Sequence, residues 1–123
     1  MRSIAQGPVY GRDYYELLGR AKIVLNCAVD ISGEDRGNMR CWEALGARAL
    51  MVSDAGNYPE GMVDGRTVRT YRSPEEAVAV IEQMLARPDE RHRIADAGYD
   101  MVRTRYSKAR QWADFQKLVA DNF

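Results

Sequence analysis

Apolar residues along this chain switch repeatedly between short unbroken runs and helical spacing, a pattern that predicts strands alternating with helices in a mostly parallel sheet. Four strands are expected: Arg2 to Ala5, before the turn-rich Gly7-Pro8; Ile23 to Ala28; Ala49 to Ser53; and Thr67 to Tyr71. The second and third are apolar on both faces, as central parallel strands are. The fourth alternates with Arg69 and reads as an edge with one face towards water.

Between the strands, helices have readable ends. Over residues 13–20, Tyr14, Leu17 and Leu18, followed by Ala21, make one stripe that can pack on a sheet. A second helix is predicted from Asn38, its cap, to about Gly46. Asn57 and Glu60 stand at capping-box spacing around Pro59, so a short helix is expected there, ending near Gly65. Ser73-Pro74-Glu75-Glu76 is a stronger start signal, because serine, proline and the third-position glutamate agree. The stripe Ala77, Val78, Ile81, Met84 and Leu85 then carries a helix to just before Pro88. Another begins near Asp89 and includes Ile94, Met101 and Val102, and a last one follows Ser107. Trp112, Phe115, Leu118 and Val119 have helical spacing in that last helix, which points to core or interdomain packing.

No repeat, low-complexity tract or linker divides the 123 residues, so a single domain over 1–123 is expected. That length buries a core but does not build two lobes with a cleft between them. Lysine plus arginine and aspartate plus glutamate each total 18, so no net charge draws the chain to nucleic acid or anionic lipid. The longest apolar runs fall far short of the roughly 20 residues of a membrane helix, and Met1-Arg2-Ser3-Ile4 does not begin a secretory leader. A cytoplasmic protein is expected. Cys27 and Cys41 lack CxxC spacing and His92 is the one histidine, too few ligands for a zinc or iron-sulfur site. Cys27 reads as a small buried hydrophobe in a strand, and His92, between Arg91 and Arg93, as a solvated residue.

In an open parallel sheet ligands gather at the carboxyl ends of strands, where loops lead into helix amino termini. Two loops qualify here. One runs from Val29 to Asn38 and carries Glu34, Asp35 and Arg36; the other is Asp54-Ala55-Gly56-Asn57, and both could present backbone amides to a phosphate. Glu43 lies among Trp42, Ala44 and Leu45 on a helix that should pack on the sheet, so its charge needs an answer. It could accept two hydrogen bonds from a ribose diol, or pair with Arg40 nearly one turn back. Asp35 and Glu34 could reach the same cleft or remain solvated loop carboxylates.

The stretch from Cys41 to Asp54, CWEALGARALMVSD, resembles the "LEAMACGxPVVASD" segment of group 1 retaining glycosyltransferases of the GT-B type. In register behind it, Gly56 to Gly65 is similar to "GGxPEVVEDG", and Pro74-Glu75-Glu76-Ala77, Arg87-Pro88-Asp89-Glu90-Arg91, Ala97-Gly98 and Tyr106-Ser107 match further landmarks of that family's carboxyl end. Upstream, Tyr14-Tyr15-Glu16-Leu17-Leu18, Lys22 to Asn26, and Arg40 ahead of Glu43 look like the subgroup related to the spore-maturation protein CgeB.

The resemblance implies an α/β fold with a Rossmann-like parallel sheet of about four strands and helices on both faces, the later part of a GT-B carboxyl-terminal domain. It implies transfer of a sugar from a nucleotide diphosphate donor, without a bound metal or other cofactor, helix termini and basic side chains stabilising the leaving diphosphate. Glu43 matches the second glutamate of the family's E-x7-E motif, which holds the ribose. The first, facing the transferred sugar, falls on Asp35, a shorter side chain. Arg36 and Arg40 are the local candidates for the diphosphate, with surface ion pairs as their other reading. Arg48 departs from the family, which has glycine there. Such enzymes carry an acceptor domain and further donor-domain strands ahead of this part, so the chain is expected to be a fragment or one member of a split enzyme with a separate acceptor-domain subunit. The rival expectation is a non-catalytic interaction domain with a vestigial nucleotide pocket.

Overall fold

The computed structural model describes residues 7–28 and 30–123. Its elements run α1 (Gly11–Arg20), β1 (Ile23–Leu25), a 3-10 turn at Asp30–Ser32, α2 (Met39–Gly46), β2 (Leu50–Asp54), β3 (Arg69–Tyr71), α3 (Pro74–Ala86), α4 (Pro88–Arg105) and α5 (Lys108–Asn122). Among the described residues the sheet has three strands, in the order β1-β2-β3 and parallel throughout. The expected strand over 2–5 lies outside the described residues.

Alternation along β2 divides the core in two. Met51 joins Leu18 of α1, Val24 of β1 and Cys41, Ala44 and Leu45 of α2 on one face. Leu50 and Val52 face the other way, onto Val80 and Met84 of α3 and Ile94 and Ala95 of α4. Helices therefore cover both faces of the sheet, and β2 is buried from both sides, which is why its run is continuously apolar.

Helix α4 serves both cores. Ile94 and Ala95 belong to the second, while Met101 and Val102 pack against the first. The crossing point is Gly98, where an added Cβ would stand 2.6 Å from both Leu45 Cδ2 and the Thr67 carbonyl oxygen.

Several expectations are corrected. Ile23 to Ala28 was expected to be a strand apolar on both faces, but β1 stops at Leu25, with Leu25 exposed and only Val24 buried. Cys27 consequently lies in a loop, exposed, whereas Cys41 is the buried thiol, and both are free. The short helix after Pro59 does not form. Gly61 adopts φ +95°, and the Thr67 hydroxyl donates to the Gly61 carbonyl at 2.7 Å and accepts from the Val63 N–H at 2.8 Å, so a side chain replaces the helical ladder. On α3 the buried residues are Ala77, Val80 and Met84, with Val78 and Leu85 outward; its start forms as expected, Ser73 Oγ accepting from the Glu76 N–H at 3.1 Å.

Two further features bear on what surrounds the site. Arg48 follows α2 at φ +61°, where glycine would be unstrained, and its guanidinium is held 3.2 Å from Asp96 and 4.4 Å from the Tyr99 ring centre, contacts that offset the strain. Helix α5 has no buried residue at all; Trp112 and Phe115 stack on each other at 5.7 Å and remain mostly exposed, so core packing is not their role.

Replacing Gly98 with alanine tests the crossing. Alanine raises helix propensity by roughly 1 kcal/mol, but overpacking against a backbone oxygen costs about 1–3 kcal/mol. We expect a net loss in denaturant unfolding; a more stable variant would mean that α4 has room to shift.

Candidate functional site

The carboxyl edge of the sheet ends in polar side chains that bind each other. Asp54, last in β2, accepts at Oδ1 from the Ala28 N–H at 2.9 Å and from Ser53 Oγ at 3.2 Å. Its other oxygen lies 2.7 Å from Arg36 Nε. That guanidinium also donates through Nη1 to the Gly33 carbonyl at 2.8 Å and through Nη2 to the Ala55 carbonyl at 2.8 Å. Arg36 thereby ties the 30–36 segment to the end of β2. The backbone confirms the seam: Asp35 and Asn57 form a parallel bridge, the Arg36 N–H donates to the Asn57 carbonyl at 2.9 Å, and the Asn57 N–H donates to the Glu34 carbonyl at 2.8 Å. A Cβ on Gly56 would meet the Glu34 carbonyl oxygen at 2.6 Å, so this close approach needs glycine.

Asn26, just past β1, forms the next link. Its amide donates to Ser53 Oγ at 3.0 Å, and its carbonyl accepts from Tyr71 Oη at 2.8 Å. Asn38 stands at the start of α2 as expected, but its side chain does not cap the helix; the amide donates instead to Asn26 Oδ1 and the Cys27 carbonyl, each at 3.3 Å. Burial pushes the Tyr58 phenol up to about 12, and raises Tyr71 and the Cys41 thiol as well.

Beside this network an open cleft of about 670 Å³ lies between α1 and α2, lined by Tyr10, Tyr14, Asn26, Asn38, Arg40 and Glu43 among others. Tyr14 Oη donates to Glu43 Oε2 at 2.8 Å. Arg40 Nη1 hydrogen-bonds to the same phenol oxygen, lies 3.7 Å from Glu43 Oε2, and its guanidinium carbon sits 5.1 Å from the Tyr14 ring centre. Among the described residues no donor reaches Glu43 Oε1.

The structure thus divides the candidates. Glu43 and Arg40 share the cleft. Gly56 and Asn57 line a separate concavity with Glu34, Tyr58 and Arg72, and Asp35 lines a small cavity with Ala28, Ser32, Arg36 and Asn38. Asn38 borders both the cleft and that small cavity, so it joins the two groups. Sequence reasoning placed Tyr14 on a packing stripe and in a family landmark, named Asn26 only within a landmark and Asp54 only within a candidate loop and the family segment, with no role for any of these side chains, and missed Tyr10; three tyrosines within six residues, 10–15, and polar residues closing apolar runs were the signals. His92 is exposed, on α4.

The profile of the glycosyl transferase-like family matches residues 2–117. No curated protein matches. Among solved structures, the carboxyl-terminal domain of a group 1 family glycosyl transferase from Francisella tularensis is similar at a TM-score of 0.64 and 22% identity, over 84% of this chain and 53% of that one. The present chain spans about half the length of that neighbour, and at this identity the likeness concerns the fold.

Two outcomes check this description. Arg36→Ala and Asp54→Ala should each lose roughly 2 kcal/mol in denaturant unfolding, with a double-mutant coupling above about 1 kcal/mol, because each leaves a partly buried charge behind; an additive cycle would dismiss the pair. The second concerns pH. Tyr58 keeps its proton to about 12 when folded, against about 10 unfolded, so its contribution is complete below pH 10 and is lost as pH rises towards 12. Tyr58→Phe should therefore flatten the stability profile in that window, read by unfolding at successive pH values.

Proposed function

Because the chain belongs to the glycosyl transferase-like family, we propose that it is the donor-binding portion of an enzyme that transfers a sugar from a nucleotide diphosphate sugar. The observation that carries this reading is the Glu43 carboxylate, which lines the cleft with one oxygen engaged by Tyr14 and the other met by no donor among the described residues. An ionised carboxylate so placed is a strong acceptor for a ribose hydroxyl. Tyr10 and Tyr15, exposed on the same cleft, offer flat apolar faces to a nucleobase. The CgeB-related subgroup and a cytoplasmic setting belong to this proposal, on the sequence pattern alone.

The roles of the other candidates follow from their neighbours. Arg36 has most of its donors engaged within the fold, so its support for the diphosphate is chiefly that it holds the 30–36 segment and Gly56 in place. Asp35 is exposed and is the residue proposed to face the transferred sugar. Asn57 and Gly56 remain proposed donor contacts across the seam they share with Asp35. An acceptor-binding partner, in the same protein or a separate subunit, completes the reaction.

A second reading, a non-catalytic interaction domain, draws on one specific observation: α5 presents Trp112, Phe115, Leu118 and Val119 on a face that nothing in the described structure covers.

Titration with nucleoside diphosphates, followed by chemical shifts, separates the two. The chain by itself should bind weakly and turn over no nucleotide sugar. Glu43→Gln should weaken binding by roughly 1.5–3 kcal/mol, since a bond to a charged acceptor is lost. Arg36→Ala should cost affinity about 1 kcal/mol or less, while lowering stability. Absence of any perturbation near Glu43 at ligand concentrations on the order of millimolar would leave the interaction reading standing.

A further inference from the structure

Resting on the donor-binding reading, we infer that Tyr14 is a positioning residue: it orients Glu43 for a ribose diol and holds Arg40 off the phosphates, so that the cleft selects ribonucleotides over 2′-deoxyribonucleotides. Glu43 is on α2 and Tyr14 on α1, 29 residues earlier, so only the packing of the two helices brings the phenol to the carboxylate. The hydroxyl donates at 2.8 Å to Oε2 and to that oxygen alone. A glutamate side chain has three rotatable bonds and on an open surface would sample many directions. Here one oxygen is pinned, the side chain is 17% exposed, and Oε1 is left as the acceptor that faces no protein donor among the described residues.

Arg40 completes the arrangement. Its guanidinium hydrogen-bonds to the Tyr14 hydroxyl, lies over the Tyr14 ring, and comes within 3.7 Å of the same Oε2. Three contacts hold one guanidinium to one tyrosine and one glutamate, so the positive charge that Arg40 brings to the cleft is tethered at the Glu43 carboxylate. Among the described lining residues the cleft then carries a fixed acceptor and no cation besides the tethered Arg40, which suits the neutral sugar of a nucleoside more than its phosphates. A ribose supplies vicinal hydroxyls to the pinned carboxylate; a 2′-deoxyribose supplies one, and part of the acceptor capacity goes unmet.

The experiment compares UDP, GDP and ADP with their 2′-deoxy counterparts on the wild type and on Tyr14→Phe, which keeps the ring and removes only the hydroxyl. We expect the wild type to prefer the ribose form about tenfold, one hydrogen bond to a charged acceptor. In Tyr14→Phe the ribose forms should weaken several-fold and the deoxy forms scarcely at all, so the ratio falls towards unity while thermal unfolding stays close to wild type. A purely structural tyrosine would weaken both forms alike. A wild type that selects ribose, with a Tyr14→Phe variant that selects it equally well, overturns the positioning role and leaves the donor-binding reading intact. A wild type that binds neither form, or both equally, overturns the reading itself and this inference with it.

Should Tyr14→Phe fail to fold, Arg40→Met gives an independent reading through UDP and uridine. An arginine locked to Tyr14 and Glu43 affects both ligands by the same factor. A loss confined to UDP would mean that Arg40 binds phosphate, against the inference.

Discussion

Strand β2 is covered on both faces, and its last residue is an aspartate. That combination constrains everything at the carboxyl edge of the sheet. A carboxylate at the end of a buried strand must be answered by donors and charge that the rest of the chain delivers: the Ala28 amide after β1 and the Ser53 hydroxyl donate to Asp54, and the Arg36 guanidinium, from the loop between β1 and α2, pairs with its other oxygen. Arg36 in turn gathers the Gly33 and Ala55 carbonyls, and Gly56 is bare of side chain because the Glu34 carbonyl occupies the space. The loops that look free and ligand-ready in a linear reading are thus sewn to one another.

This sewing contrasts with the neighbouring cleft. The charges used up around Asp54 belong to the scaffold, whereas the cleft between α1 and α2 retains an acceptor oxygen on Glu43 and exposed tyrosine faces. A rigid polar seam beside a cleft with few but directed groups is the arrangement that positions a substrate without reorganisation on binding. Asn38 belongs to both: its amide is spent on Asn26 and Cys27, not on capping α2, and it lines the cleft next to Arg40.

One left-handed residue after α2 and one glycine inside α4 bear on how these helices pack. Arg48 accepts a left-handed conformation where glycine is easier and is held by Asp96 and Tyr99; Gly98 lets α4 cross close enough to touch Leu45 of α2 and the Thr67 backbone. Both set how deeply α2 sits on the sheet, and α2 carries Arg40 and Glu43. The exposed aromatic face of α5 takes no part in this core.

By itself the sequence determined the alternation of strands and helices, the double burial of Ala49 to Ser53, the start of α3 at Ser73, and the placing of Glu43 on a helix beside the carboxyl edge. These depend on periodicity and local capping, which neighbouring residues encode. It misjudged Cys27, the segment after Pro59, and Val78, because a strand's end, a broken helix and the inward face of a helix depend on what packs against them. Only the tertiary structure decided that Arg36 belongs to Asp54, that Gly56 and Asn57 line a concavity separate from the cleft of Glu43, and that Tyr14 meets Glu43 across 29 residues of chain. The reason is physical: a side chain's charge and shape are written at one position, but the partner that satisfies them is chosen by the packing of elements distant in sequence, and no spacing along the chain records that choice.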